Sequence, residues 1–175
     1  PRTLVVACCD SRVDPALVLD CAPGDLFVIR NVANLVPPVE QRAGHHGTTA
    51  AIEYGVRNLA VEHIIVLGHA HCGGINALMQ ADGVSNPDSF IGDWMHLVES
   101  ARLSVLADMP GASPAEQVRV CEQRAILVSL RNLMTFQWVR ERIEKGALTL
   151  HGWYFDLEHG QLLGYNATTG RFESL

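Results

Sequence analysis

No apolar run in this sequence approaches the roughly 20 residues a membrane-spanning helix needs, and no secretory leader is visible. Positive charge is in deficit. Thirteen Lys and Arg stand against 19 Asp and Glu, giving a formal net charge of −6, which argues against a nucleic-acid or polyanion partner. Internal repeats, low-complexity tracts and linker-like stretches are also missing, so a repeat array or a two-domain layout is not expected. Cysteine is scarce and odd in number, five spread along the chain. That count does not build a disulfide framework. It points to a reducing compartment, the cytoplasm or an organelle interior. What remains is 175 residues, 48% hydrophobic, enough for a single domain over 1–175 with a real core. The chain opens at Pro1 on the edge of a strand pattern, and the expectation is that its natural N-terminus lies upstream.

Hydrophobic patterning alternates strands with helices. Thr3–Ala7 is short, β-branched and uncharged, the pattern of a strand buried on both faces in a parallel sheet. Asp14-Pro15 reads as an N-cap with proline at the first helical position, opening a short helix through Leu19. A strand over Leu26–Ile29 and a loop closed by Pro37-Pro38 follow. Gly47-Thr48 then starts a helix whose Ile52, Val56 and Leu59 are spaced to face the sheet. Ile64–Leu67 is another buried strand, followed by a helix from about Gly74 to Gln80 and a turn-rich connection over 82–88. A long helix is expected from about Asp88 to Ala107. Another, opened by Ser113-Pro114, is expected to run towards Lys145 with a break near Thr135. Leu148–Phe155 and Gln161–Asn166 return to strands around a His159-Gly160 turn. The whole predicts an α/β fold with a central mostly parallel β-sheet flanked by helices.

Chemistry-bearing residues follow two of these strands directly. Cys8-Cys9-Asp10-Ser11-Arg12 comes after the first, and Gly68-His69-Ala70-His71-Cys72-Gly73-Gly74 after the strand over 64–67. Open α/β sheets keep their sites beyond the carboxyl ends of strands. If the two strands are neighbours, Cys8 meets His69 and Cys72, and Cys₂His with an open position is a catalytic zinc pattern. His71 adjoins Cys72 and diverges from it, so His69 is the expected ligand. A structural zinc site completed by Cys9 or Cys21 is the competing reading of the same residues. Otherwise Cys9, Cys21 and Cys121 are expected as small buried apolar residues. A charge pair such as Asp10 and Arg12 in a loop is by default structural; beside a metal it acquires a role.

Cys-x-Asp-Ser-Arg followed by Gly-His-x-x-Cys-Gly-Gly resembles the β-class carbonic anhydrases. The resemblance extends through Pro23–Asn34 and Gly47–Tyr54, weakens after about Leu78, and returns in Leu148–Asp156. It is nearest to the plant-type branch. The resemblance implies reversible hydration of CO2 to bicarbonate and a proton by zinc-bound hydroxide, with one Zn²⁺ per chain on Cys8, His69 and Cys72. It implies a homo-oligomer, at least a dimer, whose N-terminal helices embrace the partner; no such segment is present here. Asp10 would orient the zinc-bound water or else bind the metal and shut the site, Arg12 deciding which. Phe27, Val32 and Tyr54 match apolar pocket positions, some of them reaching the partner's site. Gly73 matches a glycine whose N–H approaches bicarbonate. An inhibitory bicarbonate site of the other branch uses a tryptophan where this chain has Val5, so that site is not expected despite Arg30. His45, His46 and His71 are candidate proton carriers or surface residues, with His71 foremost because it lies in the ligand turn. The same scaffold carries COS or CS2 hydrolases, and a catalytically inactive zinc- or bicarbonate-binding module is the non-enzymatic alternative.

Overall fold

The first strand, β1 (Thr3–Cys8), is buried from Leu4 to Cys8 and pairs on both sides, as its uncharged run predicts. This is seen in a computed structural model that describes residues 1–39, 45–80 and 89–175. On one side β1 pairs in parallel with β2 (Leu26–Asn31), and on the other in parallel with β3 (His63–His69). Beyond β3 comes parallel β4 (Thr149–Asp156), then antiparallel β5 (Gln161–Asn166) and β6 (Arg171–Ser174). The sheet order is therefore β2-β1-β3-β4-β5-β6. No helix among the described residues is long and apolar enough to cross a membrane.

Between strands lie α1 (Pro15–Val18), α2 (Gly47–Glu53), α3 (Gly73–Met79), α4 (Phe90–Met95), α5 (Glu99–Asp108), α6 (Pro114–Leu133) and α7 (Gln137–Glu144). The expected caps are present. The Asp14 carboxylate accepts the N–H groups of Ala16 and Leu17, and Ser113 with Glu116 forms a reciprocal capping box. One face of the sheet, with Leu4, Val6, Ile64 and Val66, packs beneath residues of α2, α6 and α7. Val5, Ala7, Ile65 and Leu67 form the smaller core of the other face with Val18, Trp153 and Phe155. A third cluster lies at the carboxyl ends of β1 and β3, where α3 to α6 gather around Cys8 and Cys72.

Four details depart from the sequence expectation. The helix expected over 88–107 is split at a tight turn, His96–Val98; α4 packs on α3, whereas α5 packs on both α3 and α6. The helix from Gly47 widens over Tyr54–Asn58, with Ile52 and Val56 still fully buried. β6 was not foreseen; its four residues are mostly polar and exposed. Cys9 is exposed and Cys21 half-buried rather than buried; Cys9 lies just past the end of β1, beyond the cover that buries both faces of that strand. The break near Thr135 falls between α6 and α7 as expected. The turn-rich connection over 82–88 lies outside the described residues.

Candidate metal centre

β1 and β3 run side by side with Ala7 opposite Leu67, so Cys8 and His69, which end them, emerge at the same edge of the sheet. A short turn then returns Cys72 to that edge as the residue before α3. One ligand atom from each of Cys8, His69 and Cys72 lies within 4.8 Å of the others, and all three residues are buried. His69 Nδ1–H donates to the Ala70 carbonyl at 2.8 Å. That fixes the tautomer and leaves Nε2 as the acceptor. Nε2 is buried and makes no hydrogen bond among the described residues. A buried, unpaired imidazole nitrogen between two cysteines is costly in a metal-free protein and is what a metal ligand looks like, so the donor set fits a divalent cation. A hydrogen bond from Cys72 pulls the Cys8 thiol well below its ordinary range against the effect of burial; the same contact, together with burial, pushes Cys72 up.

Asp10 and Arg12 come together beside this centre. Arg12 Nε donates to Asp10 Oδ1 at 2.9 Å and Nη2 to Oδ2 at 2.7 Å. Hydrogen bonds from the Arg12 side chain and backbone hold the Asp10 carboxyl far below the usual carboxylate range. Arg12 Nη2 also donates to the His71 carbonyl at 3.0 Å, tying the two ligand turns to each other. His71 has a left-handed backbone (φ 57°), is exposed, and pairs through Nε2 with Glu158 at 2.7 Å.

The expected pocket residues fall in two places. Phe27 on β2 and Tyr54 after α2 have ring centroids 6.0 Å apart, and Tyr54 is 51% exposed. Val32 follows β2, and its carbonyl accepts the Trp94 indole N–H at 2.8 Å. Gly73 is the first residue of α3, with open space where a side chain would stand. It borders a cavity of about 520 Å³ that His71, Arg119, Glu122, Tyr154 and Glu158 also line, whereas Phe27, Val32 and Tyr54 do not.

Two residues matter here that the sequence reading did not place. Arg30 on β2 spends its donors on the turn itself. It binds the carbonyls of Cys8 at 2.8 Å and Asp10 at 2.6 Å, with Asp14 3.5 Å away. Glu122 on α6 is buried and accepts the backbone N–H of Cys72 at 2.9 Å. The signal for Glu122 was present in the sequence as a charge at helical spacing between apolar Val118 and Ile126.

Comparison with known proteins agrees with this geometry. A family model for carbonic anhydrase matches residues 3–162. "Beta carbonic anhydrase 5, chloroplastic" of Arabidopsis thaliana is 43% identical over 89% of this chain and 51% of its own length. A carbonic anhydrase of Synechocystis is 37% identical over 98% of this chain and 62% of its own. The chain thus spans between half and two thirds of these curated relatives. Among solved structures, the β-carbonic anhydrase CcaA superposes with a TM-score of 0.93 at 36% identity, covering 100% of this chain and 78% of that one. One of two tetrameric β-carbonic anhydrases from Sordaria macrospora superposes at 0.85 with 30% identity, covering 95% and 81%.

Proposed function

The chain belongs to the β-carbonic anhydrase family, and from that premise we propose that it catalyses the reversible hydration of CO2 to bicarbonate and a proton at one zinc ion held by Cys8, His69 and Cys72. The observation that carries the reading is buried His69, whose Nε2 has no hydrogen-bond partner among the described residues, grouped with Cys8 and Cys72 so that one ligand atom of each residue lies within 4.8 Å of the others. Bound zinc would supply an activated water, the nucleophile that an electrophile such as CO2 requires.

The remaining steps fall to the chain's own side chains. Asp10, fully ionised in the grip of Arg12, accepts a hydrogen bond from the attacking water and aims its lone pair. Arg12, anchored on the His71 carbonyl, keeps that carboxylate from swinging onto the metal. Phe27, Val32 and Tyr54 give an apolar lining that suits an uncharged linear substrate, and the Gly73 N–H is left to meet the bicarbonate product. A pocket of this kind needs walls that one chain does not bring together. The exposure of Tyr54 beside Phe27 supports a homo-oligomer, at least a dimer, in line with the tetrameric relative from Sordaria. The free cysteines support residence in a reducing compartment, cytoplasmic or organellar.

Metal analysis combined with a stopped-flow CO2 hydration assay tests the proposal. One zinc per chain and catalysed hydration are expected; zinc-loaded protein that does not accelerate hydration would overturn it.

A further inference from the structure

Helix α6 carries a charged side chain into the floor of the metal centre. Glu122 is 3% exposed, beside the fully buried Cys121 and Ile126. A carboxylate in such surroundings is costly unless its oxygens are paired. Both are paired: Oε1 accepts the Cys72 backbone N–H at 2.9 Å, and Oε2 accepts the hydroxyl of fully buried Tyr154 at 2.7 Å. The helix can come this close because β3 and β4 present glycine beneath it. A Cβ on Gly68 would stand 2.7 Å from Ile126 Cδ1, and one on Gly152 3.0 Å from Ile126 Cγ2.

The group that Glu122 holds is the hinge of the ligand turn. Cys72 is the residue before α3 and has no side-chain cap of its own. His71 before it is left-handed without being glycine, a costly conformation for a residue with a Cβ that surrounding contacts must sustain. Fixing the Cys72 N–H restrains the peptide plane from which Cα–Cβ projects, and so the arc that Sγ can sweep towards the metal position. His69 has its own anchor on the Ala70 carbonyl; Glu122 is the corresponding anchor for Cys72.

We propose that Glu122, braced by Tyr154, is a positioning residue that sets the orientation of Cys72 as a metal ligand. The inference rests on the metal-site reading of Cys8, His69 and Cys72. It is distinct from a role in packing alone, which would change melting temperature but neither the affinity nor the ligand field of the folded protein.

The test compares Glu122→Ala, Glu122→Gln and Glu122→Asp with wild type. Zinc affinity is read by chelator competition and ligand geometry by the absorption spectrum of the Co(II)-substituted protein. Glu122→Ala is expected to weaken zinc binding on the order of 10–100-fold and to alter the ligand-field and thiolate charge-transfer bands. Glu122→Gln keeps an oxygen for the Cys72 N–H and is expected to restore wild-type bands and affinity within a few-fold. Glu122→Asp keeps the charge but withdraws the oxygen, and is expected to behave like the alanine variant. Where the alanine variant does not fold, the contrast between Gln and Asp decides. Wild-type affinity and spectrum in Glu122→Ala or Glu122→Asp, or a defect in Glu122→Gln as large as in Glu122→Asp, would overturn the proposal. Wild type that takes up no metal would instead overturn the metal-site reading itself.

Discussion

Arg12 grips both carboxylate oxygens of Asp10 and adds its own backbone N–H to one of them at 3.0 Å. This three-point hold lowers the Asp10 pKa far beneath the usual range. The sign is that of a depressed carboxylate: Asp10 is ionised throughout the range where activity is measured and gains a proton only in strong acid. We expect kcat/KM for CO2 hydration to rise from mildly acid to alkaline pH, and protonation of Asp10 is not the source of that rise. Arg12→Ala frees the carboxylate to turn onto the metal, and Asp10→Ala leaves the attacking water unaimed. Each is expected to lose on the order of 10²-fold in kcat/KM, the usual cost of a lost positioning contact. The measurement is a pH–rate profile of wild type and both variants. A flat wild-type profile, or normal rates in Arg12→Ala, would refute the assignment.

Adjacent cysteines at the end of β1 give a sharp control on the metal centre. Cys8 is buried beside His69 and Cys72, whereas Cys9 is exposed. Cys8→Ser is expected to abolish stoichiometric zinc and activity, and Cys9→Ser to retain both. Zinc content per chain, measured on purified variants, decides; the opposite pattern would move the ligand by one residue.

The grouping of Cys8, His69 and Cys72 was legible in the sequence because Cys8 and His69 end the two most strongly patterned strands. Thr3–Ala7 and Ile64–Leu67 are β-branched or apolar throughout, and parallel neighbours are the natural arrangement for such runs. Their partner chemistry, Cys8 against His69 and Cys72, follows once the strands are adjacent. What was less legible depends on tertiary contacts. The turn at His96–Val98 interrupts a segment whose periodicity alone reads as one helix. β6 is four residues long, and its side chains carry little apolar signal. Arg30, named from the sequence only in connection with the other branch's bicarbonate site, meets the Cys8 carbonyl through the sheet register, a contact that sequence pattern does not carry. Glu122 looks like a defect in the apolar stripe of α6 until Cys72 is found against it.

Asp156 at the end of β4 predicts an acid-sensitive hairpin. Burial pushes its carboxyl up, but hydrogen bonds from His159 and from the backbone of Glu158 and His159, with Arg119 alongside, outweigh burial and leave its pKa lowered. A lowered value means that the stabilisation is present above the ordinary carboxylate pKa of about 3.9 and is lost as pH falls through the depressed value. Asp156→Asn is expected to cost about 1.5–3 kcal/mol near neutrality, the range for hydrogen bonds to charged groups. The gap between variant and wild type should narrow in acid. Urea unfolding of both proteins at pH 7 and below pH 4 checks this; a gap independent of pH would contradict it.

The free edge of the sheet carries the last prediction. Among the described residues β2 pairs with β1 alone, so its outer edge meets no strand there, the situation that invites pairing with another chain. Both faces at that edge carry partly exposed apolar side chains. Val28 is 40% exposed in the middle of β2, and Tyr54, 51% exposed, stands over Phe27 on the helical side. Phe27 and Val28 are consecutive and point to opposite faces, so a second copy laid along β2 would meet both. We expect sedimentation at assay concentration to give at least a dimer. Val28→Glu, placing a charge on the edge strand, should shift it towards monomer. Zinc should remain, because Cys8, His69 and Cys72 all come from one chain. CO2 hydration should fall together with the oligomer, because the aromatic wall is then left open to water. A fully active wild-type monomer, or a Val28→Glu monomer with undiminished kcat/KM, would show that one chain completes its own pocket.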